Sequence, residues 1–429
     1  MRVLVTGALG FIGTQIVAAL SVAGHEVVRA VRAGRVAARS EQPAIICDMA
    51  ADLYEEDWLP RLAGIDAVVN CAGILREHGS DRFDAVHVQA PLALFRACAR
   101  MQVRRVVQIS ALGDPADGEF IASKHRGDDA LLALDLDAIV LRPSVVYSTA
   151  GSHGGTSLLR ALAALPGFVV LPGSGAQRLQ PVAGEDVGLV VVAALAHPQL
   201  AHVTFDVVGP QVLTLADYLL AWRRWLGARR ACKIHVPMIL VRIGTSLVEV
   251  FGRGPLGSTM RRMLERGNVG APDAYERLCT QLGVVPRSLA HALTAVPAQK
   301  QDRWHARLYF ALPLLRFTLA LLWIASGLLG LMSSSADIAV ATQGGALPIP
   351  SVVMLVRFSG AVDLILGVLC LAHWRPRWVL ASMLTMVIGY TLAIGILWPR
   401  YWLDPFGGLA KNLPLAAALW VLLATEERR

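Results

Sequence analysis

The stretch EFIASKHRG, residues 119–127, contains the residues best suited to proton chemistry. Lys124 lies four residues after Phe120, so on a helix the two share a face. A tyrosine at 120 would give the lysine a phenol to activate, and the pair would move a proton. Phe120 has no proton to give. Lys124 then has two uses: it donates a proton itself if burial lowers its pKa, or its ammonium clamps the hydroxyls of a bound molecule. His125 and His87 are weaker candidates for the proton.

A second group of residues binds rather than reacts. TGALGFIG, residues 6–13, spaces Gly7, Gly10 and Gly13 as GxxGxxG, with Thr6, Phe11 and Ile12 completing the turn. The early glycines let the backbone turn and approach a pyrophosphate, and the last lets a helix pack on a strand. The spacing gains force from its place between a first strand and a first helix. The next strand ends VVRAVR, without the acid that would hold a ribose 2′-hydroxyl. Arg29 and Arg32 put positive charge where a 2′-phosphate would sit, which favours NADP(H) over NAD(H). Asp48 closes the third strand at a place suited to an adenine edge. Ala72 and Gly73 close the fourth, where small residues let a cofactor pass close to the backbone.

These residues need a sheet to hold them. Short β-branched runs at 2–7, 25–32, 44–48, 66–73, 105–110 and 137–143 alternate with helical stretches such as 13–24 and 91–101. Strands apolar on both faces, alternating with helices, predict an α/β fold: a Rossmann-type doubly wound parallel sheet over 1–200. A small α-rich lobe follows over 201–306, with helices expected at 214–226, 237–251 and 257–266. Six cysteines form no CxxC pair, and no histidine stands at ligand spacing, so a reduced compartment and no metal are expected.

The last third, 307–429, differs. With 55% hydrophobic and 17% charged residues among 429, and a mean hydropathy of +0.52, part of the chain belongs in lipid. Apolar segments at 308–332, 352–373, 378–398 and 406–424 predict an all-α four-helix transmembrane domain. Lys300, Arg303, Arg307, Arg375, Arg377, Arg428 and Arg429 flank them on one side. That predicts a multi-pass protein of the inner, cytoplasmic membrane with both termini in the cytoplasm. Within the spans, Arg316 is expected to pair with Asp363. That site reads either as a structural ion pair or as a pocket for a quinone head group. The net charge of +8 and the basic, tryptophan-bearing WRRWLGARRACK, 222–233, fit anionic lipid better than nucleic acid, which is not expected as a partner.

With TGALGFIG, Asp48, NCAG (70–73), ISALG (109–113), SKHRG (123–127) and LRPSVVY (141–147), the chain resembles the extended or atypical branch of the short-chain dehydrogenase/reductase superfamily. LPGSGAQRLQPVAGEDV, 171–187, is similar to the branch containing the dehydrogenase-like accessory subunit of respiratory complex I. WLDPFGGLAKNLPL, 402–415, resembles the DoxX-like membrane family, some of whose members are linked to quinone-dependent oxidation. The resemblance implies that Ser110 polarises a substrate oxygen, that Lys124 binds the nicotinamide ribose, and that Pro143 lines the cofactor. It also implies a tyrosine where Phe120 stands and, in many members, an asparagine where His87 stands.

Three readings follow. The first is hydride transfer with a proton from elsewhere, a quinone or another lipid-soluble acceptor making this easier. The second is an NAD(P)H-binding assembly or regulatory factor for a respiratory or other membrane complex, without turnover. The third is a fold kept for its structure. Nucleotide-sugar epimerase chemistry loses ground because Phe120 removes its base.

Overall fold

The computed structural model describes residues 1–33, 43–251, 257–344, 347–405 and 407–426. The chain divides into two compact units, Met1–Arg307 and Leu308–Arg429.

The first unit is built on seven strands: β1 (Arg2–Thr6), β2 (Glu26–Val31), β3 (Ala44–Ile46), β4 (Ala67–Asn70), β5 (Arg105–Ile109), β6 (Asp137–Pro143) and β7 (Val203–Val207). All neighbours are parallel, in the order β7-β6-β5-β4-β1-β2-β3. The strand order reverses between β1 and β4, and the loops leaving those two strands frame the crevice where open α/β sheets bind ligands.

The alternation of side chains sorts the core into two layers. Val3, Val5, Val69, Val107 and Ile139 face one layer with Ile16 and Leu20 of α1 (Phe11–Val22). Leu4, Val68, Val106 and Val140 face the other, with Leu94 and Phe95 of α2 (Ala90–Arg100) and Leu131 of α3 (Glu119–Leu132). Helix α4 (Gly184–Ala196) joins α1 on the first face.

The sheet extends past residue 200, because Phe205 and Val207 turn inward and add a seventh strand beside β6. The expected helices of the lobe form at Leu215–Trp225, Met238–Phe251 and Ser258–Arg266.

The stretch 222–233 does not present its tryptophans to lipid. Trp222 is 1% exposed, and the Arg160 guanidinium stacks over Trp222 at 4.2 Å and over Trp225 at 5.2 Å. Arg223 is buried and donates to the carbonyls of Ala163, Leu165 and Arg229. The aromatic half of the motif is thus core, and the exposed charge lies on Arg224, Arg229, Arg230 and Lys233.

In the C-terminal region three helices are long and apolar enough to cross a bilayer: Lys300–Met332, Ile349–Leu371 and Pro376–Leu397. The fourth expected span forms only Asn412–Thr425, 14 residues. At about 1.5 Å per residue that helix covers roughly 21 Å, short of a hydrocarbon core of about 30 Å. Gly327 and Gly360 let the first two helices touch backbone to backbone; a Cβ on Gly327 would lie 2.6 Å from the Gly360 carbonyl oxygen.

The expected Arg316–Asp363 pair is not made. Asp363 accepts from Ser326 Oγ at 3.2 Å and from Tyr390 Oη at 3.3 Å. Arg316 lies ten residues before Ser326 on the same helix, about 15 Å along its axis, and pairs with Glu426 instead. Arg428 and Arg429, used above for orientation, lie outside the described residues.

Candidate active site

The loop after β1 opens with Gly7 at φ +60°, where an added Cβ would lie 2.7 Å from the Cys71 carbonyl oxygen. A Cβ on Gly13 would collide with the Gly7 carbonyl, so α1 can start this close to β1 only with glycine there. Gly10 caps α1 without any side-chain hydrogen bond, and the first turn, opened by Phe11 and Ile12, carries no acid. Its N–H groups are thus left for an external anion, and a dinucleotide pyrophosphate fits this turn.

Beneath the turn, a polar rung crosses three strands. Thr6 Oγ1 donates to Asn70 Oδ1, and Asn70 Nδ2 donates to Gln108 Oε1 at 2.7 Å. All three side chains are fully buried, and Asn70 Oδ1 also accepts from the Ala72 N–H at 3.3 Å. Thr6 therefore faces inward and fixes the Ala72–Gly73 exit. Asn70 and Gln108 went unrecognised in the sequence; their only signal is a polar residue at the last position of one apolar strand and the penultimate position of the next.

Lys124 projects from α3 to the ends of β4 and β5. Its Nζ donates to the carbonyls of Ala72 at 2.8 Å and Ile109 at 3.2 Å. A Cβ on Gly73 would lie 2.9 Å from Nζ, so glycine there leaves the ammonium its place. Burial lowers the lysine pKa to about 8, against the opposing charge of Asp128.

Asp128 stands one helical turn beyond Lys124 and is fully buried. It accepts from Ser110 Oγ at 2.7 Å and pairs with Arg142 at 2.9 Å. Burial raises its pKa, opposed by the Ser110 hydrogen bond and the Arg142 charge. The Ser110 proton is therefore turned into the protein. The i, i+4 spacing of Lys124 and Asp128 in SKHRGDD is the signal that could have found this acid.

His87 is buried. Its Nε2 accepts from the Ile74 N–H at 3.0 Å, so the proton sits on Nδ1 and is donated to Ser123 Oγ at 2.8 Å. Burial, then the Lys124 charge, pushes its pKa down to about 2, and the ring stays neutral. The half-buried Phe120 ring meets His87 edge-on at 5.8 Å and lies 6.3 Å from Phe83. His125 Nε2 donates to the Ala111 carbonyl at 3.2 Å.

At the outer end of the crevice, Arg29 is buried within β2. Arg32, just past β2, makes a two-pronged pair with Asp81 at 2.7 and 3.0 Å and approaches Asp48 at 3.7 Å. Asp48 also accepts from the Ala50 N–H at 3.0 Å. The Pro143 carbonyl accepts from the Leu112 N–H at 3.0 Å, tying the end of β6 to the loop after β5. Near the start of α3, Arg266 pairs with Asp117, and a Cβ on Gly118 would lie 2.5 Å from Thr259 Oγ1. Among the described residues no cluster of His, Cys, Asp and Glu could hold a metal ion.

Residues 3–207 match the NAD dependent epimerase/dehydratase family, and residues 320–420 match the DoxX-like family. The ceramide reductase of Caulobacter vibrioides is 28% identical over 244 residues, 56% of this chain and 75% of that protein. The mitochondrial NADH dehydrogenase [ubiquinone] 1 alpha subcomplex subunit 9 of Arabidopsis thaliana is 26% identical over 242 residues, 52% of this chain and 59% of that protein. Among solved structures, the UDP-N-acetylglucosamine 4-epimerase of Bacillus cereus superposes with a TM-score of 0.51 at 16% identity, covering 72% of this chain and 99% of that one. The UDP-glucuronic acid 4-epimerase of the same organism gives 0.52 at 16%, covering 72% and 100%. At such identity these two show the fold alone. The chain is thus similar to nicotinamide-cofactor proteins of the epimerase/dehydratase kind over its parallel-sheet domain and to the DoxX-like family over its apolar helices.

Proposed function

We propose that the protein is a membrane-anchored oxidoreductase that prefers NADP(H) to NAD(H) and reduces a lipid-soluble acceptor such as a quinone. The carrying observation is Lys124, held at the ends of β4 and β5 beside the glycine turn although its phenol partner is absent. A bound nicotinamide dinucleotide supplies hydride. The N–H groups of Phe11, Ile12 and Gly13 would hold the pyrophosphate, the Gly10 N–H being donated to the Gly7 carbonyl at 2.9 Å, and Ala72 and Gly73 leave room for it. The Lys124 ammonium holds the ribose hydroxyls and, with a pKa of about 8, can release a proton near neutral pH to the reduced oxygen and regain it from solvent. Asp128, which accepts from Ser110, acts on the lysine through its charge rather than touching substrate. Phe120, His87 and Phe83 form an aromatic wall that keeps water away and suits a flat, apolar acceptor. An acceptor of this kind needs no phenol, because solvent or lysine can protonate the product.

The NADP(H) preference rests on Arg32 and Arg29; replacing both with alanine should bring the NADPH and NADH affinities together, measured by nucleotide fluorescence. An unchanged ratio would sink it. The basic flanks of the apolar helices support a cytoplasmic-membrane location with the nucleotide domain inside.

A second reading, an NAD(P)H-binding assembly or regulatory factor for a membrane complex, is favoured by the Ser110 hydroxyl being committed to Asp128. One experiment separates the two. Full-length protein in detergent is mixed with NADPH, then with a short-chain quinone and with a long-chain lipid ketone. Acceptor-dependent oxidation supports the enzyme; tight binding without oxidation of NADPH by either acceptor supports the factor.

A further inference from the structure

The helix Met238–Phe251 carries its apolar side chains into the open. Ile239, Leu240 and Ile243 are 67%, 55% and 53% exposed, and Ile234 on the preceding strand, Cys232–Val236, is 44% exposed. Spacings of one, three and four residues put the three helix positions on one face. A water-facing surface seldom gathers large aliphatic residues this closely without a partner. Around them stand Arg229, Arg230, Lys233 and Arg242, all exposed, and the sequence from 229 to 246 contains no Asp or Glu. Arg242 is held by Glu265 at 3.4 Å, and the positive excess from Arg229, Arg230 and Lys233 beside these apolar residues matches a bilayer interface with anionic headgroups. The same chain carries three helices long and apolar enough to cross a bilayer.

The surface is also wired to the reaction end of the site. Arg242 Nε meets Glu265 at 3.4 Å, and Glu265 meets Arg261 at 2.8 Å, both on the helix Ser258–Arg266. From that helix Arg266 pairs with the buried Asp117, and Arg262 Nη1 donates to the Asp117 carbonyl at 3.4 Å. Asp117 lies two residues before α3, the helix of Phe120 and Lys124.

We propose that residues 232–246 form a membrane-seating surface that rests on the anionic headgroups of the bilayer into which the chain is anchored. The seating holds whether or not the site turns over.

The test uses full-length protein in nanodiscs, in a Cys232→Ser background, with single cysteines placed at Ile243 or at Val22, which is 90% exposed on α1. Each is labelled with an environment-sensitive fluorophore, and signal from the unsubstituted background is subtracted. Lipids carrying a quencher just below the headgroup should quench the Ile243→Cys label at least about threefold more than the Val22→Cys label. The difference should grow when phosphatidylglycerol replaces part of the phosphatidylcholine. Equal quenching at the two positions overturns the proposal. So does lipid-independent self-quenching that rises with protein density, which would assign the face to a second copy. Thermal melting confirms that the labelled variants are folded. Because the readout is position rather than turnover, an inactive enzyme leaves it intact.

Discussion

The two ends of the crevice are built from different materials. At the cofactor end the work is done by what is absent: the missing Cβ atoms of Gly7, Gly13 and Gly73 let backbone and lysine come close. At the reaction end it is done by side chains, and these are turned inward. Ser110 donates to Asp128, His87 to Ser123, and Lys124 to two backbone carbonyls. A backbone cradle tolerates drift in surrounding side chains, whereas a proton relay is lost when a single residue changes. That contrast accounts for an intact glycine turn beside a phenylalanine at 120.

The comparison breaks most sharply at Gly13. Gly13→Val should abolish NAD(P)H binding and cost on the order of 1–3 kcal/mol of stability, seen in nucleotide fluorescence and thermal melting. Retained binding would mean that the cradle does not depend on the missing atoms. Next comes Asp128→Asn, which leaves Arg142 largely buried without its charge partner. Unfolding in urea should show a loss of roughly 2–4 kcal/mol, more than from Ser110→Ala.

Lys124→Met tests where the two ends meet. Nucleotide affinity should fall about tenfold, about 1.4 kcal/mol. In the unaltered protein the ammonium is lost as pH rises through about 8, so affinity should weaken there, and the variant should show a flat profile. Stability moves the other way. The folded pKa lies below the ordinary 10.5, so between about 8 and 10.5 the unfolded chain binds the extra proton. The native state therefore gains stability as pH rises across that window, a gain that Lys124→Met removes. His87, held neutral by burial, should add no inflection between pH 5 and 7 in either profile. The smallest change in stability belongs to Phe120→Tyr, under about 1 kcal/mol for a half-buried ring. Its sharper readout is carbonyl reduction with NADPH. A rise means the site lacks only its phenol, and no rise means the inward bonds of Ser110 and Lys124 have closed the older route.

Six strands were legible because a parallel sheet buries both faces and writes itself as β-branched runs. The seventh was not. VTFDV at 203–207 lies at the sheet edge, where Thr204 and Asp206 are only half-buried, so its run is broken by polar residues. The glycine turn was legible because its spacing is local. The commitment of Ser110 was not, since Asp128 lies 18 residues away and Arg142 a further 14. The basic stretch 222–233 misled for a related reason. Arg160, which stacks on Trp222 and Trp225, is remote in sequence, and only the fold shows that the tryptophans face inward. The membrane charges show the limit of pairing by proximity of spans: Arg316 and Asp363 sit on neighbouring helices but at different depths.

The rung of Thr6, Asn70 and Gln108 has a consequence for how this chain can vary. Thr6 donates to Asn70 and Asn70 to Gln108, all fully buried, and replacing any one alone strands a further donor or acceptor beyond the already unpartnered Gln108 Nε2. Three positions scattered over a hundred residues of sequence therefore behave as a single inherited unit. They should change together across related chains or not at all, and a lone substitution should be rescued by a second on the adjoining strand.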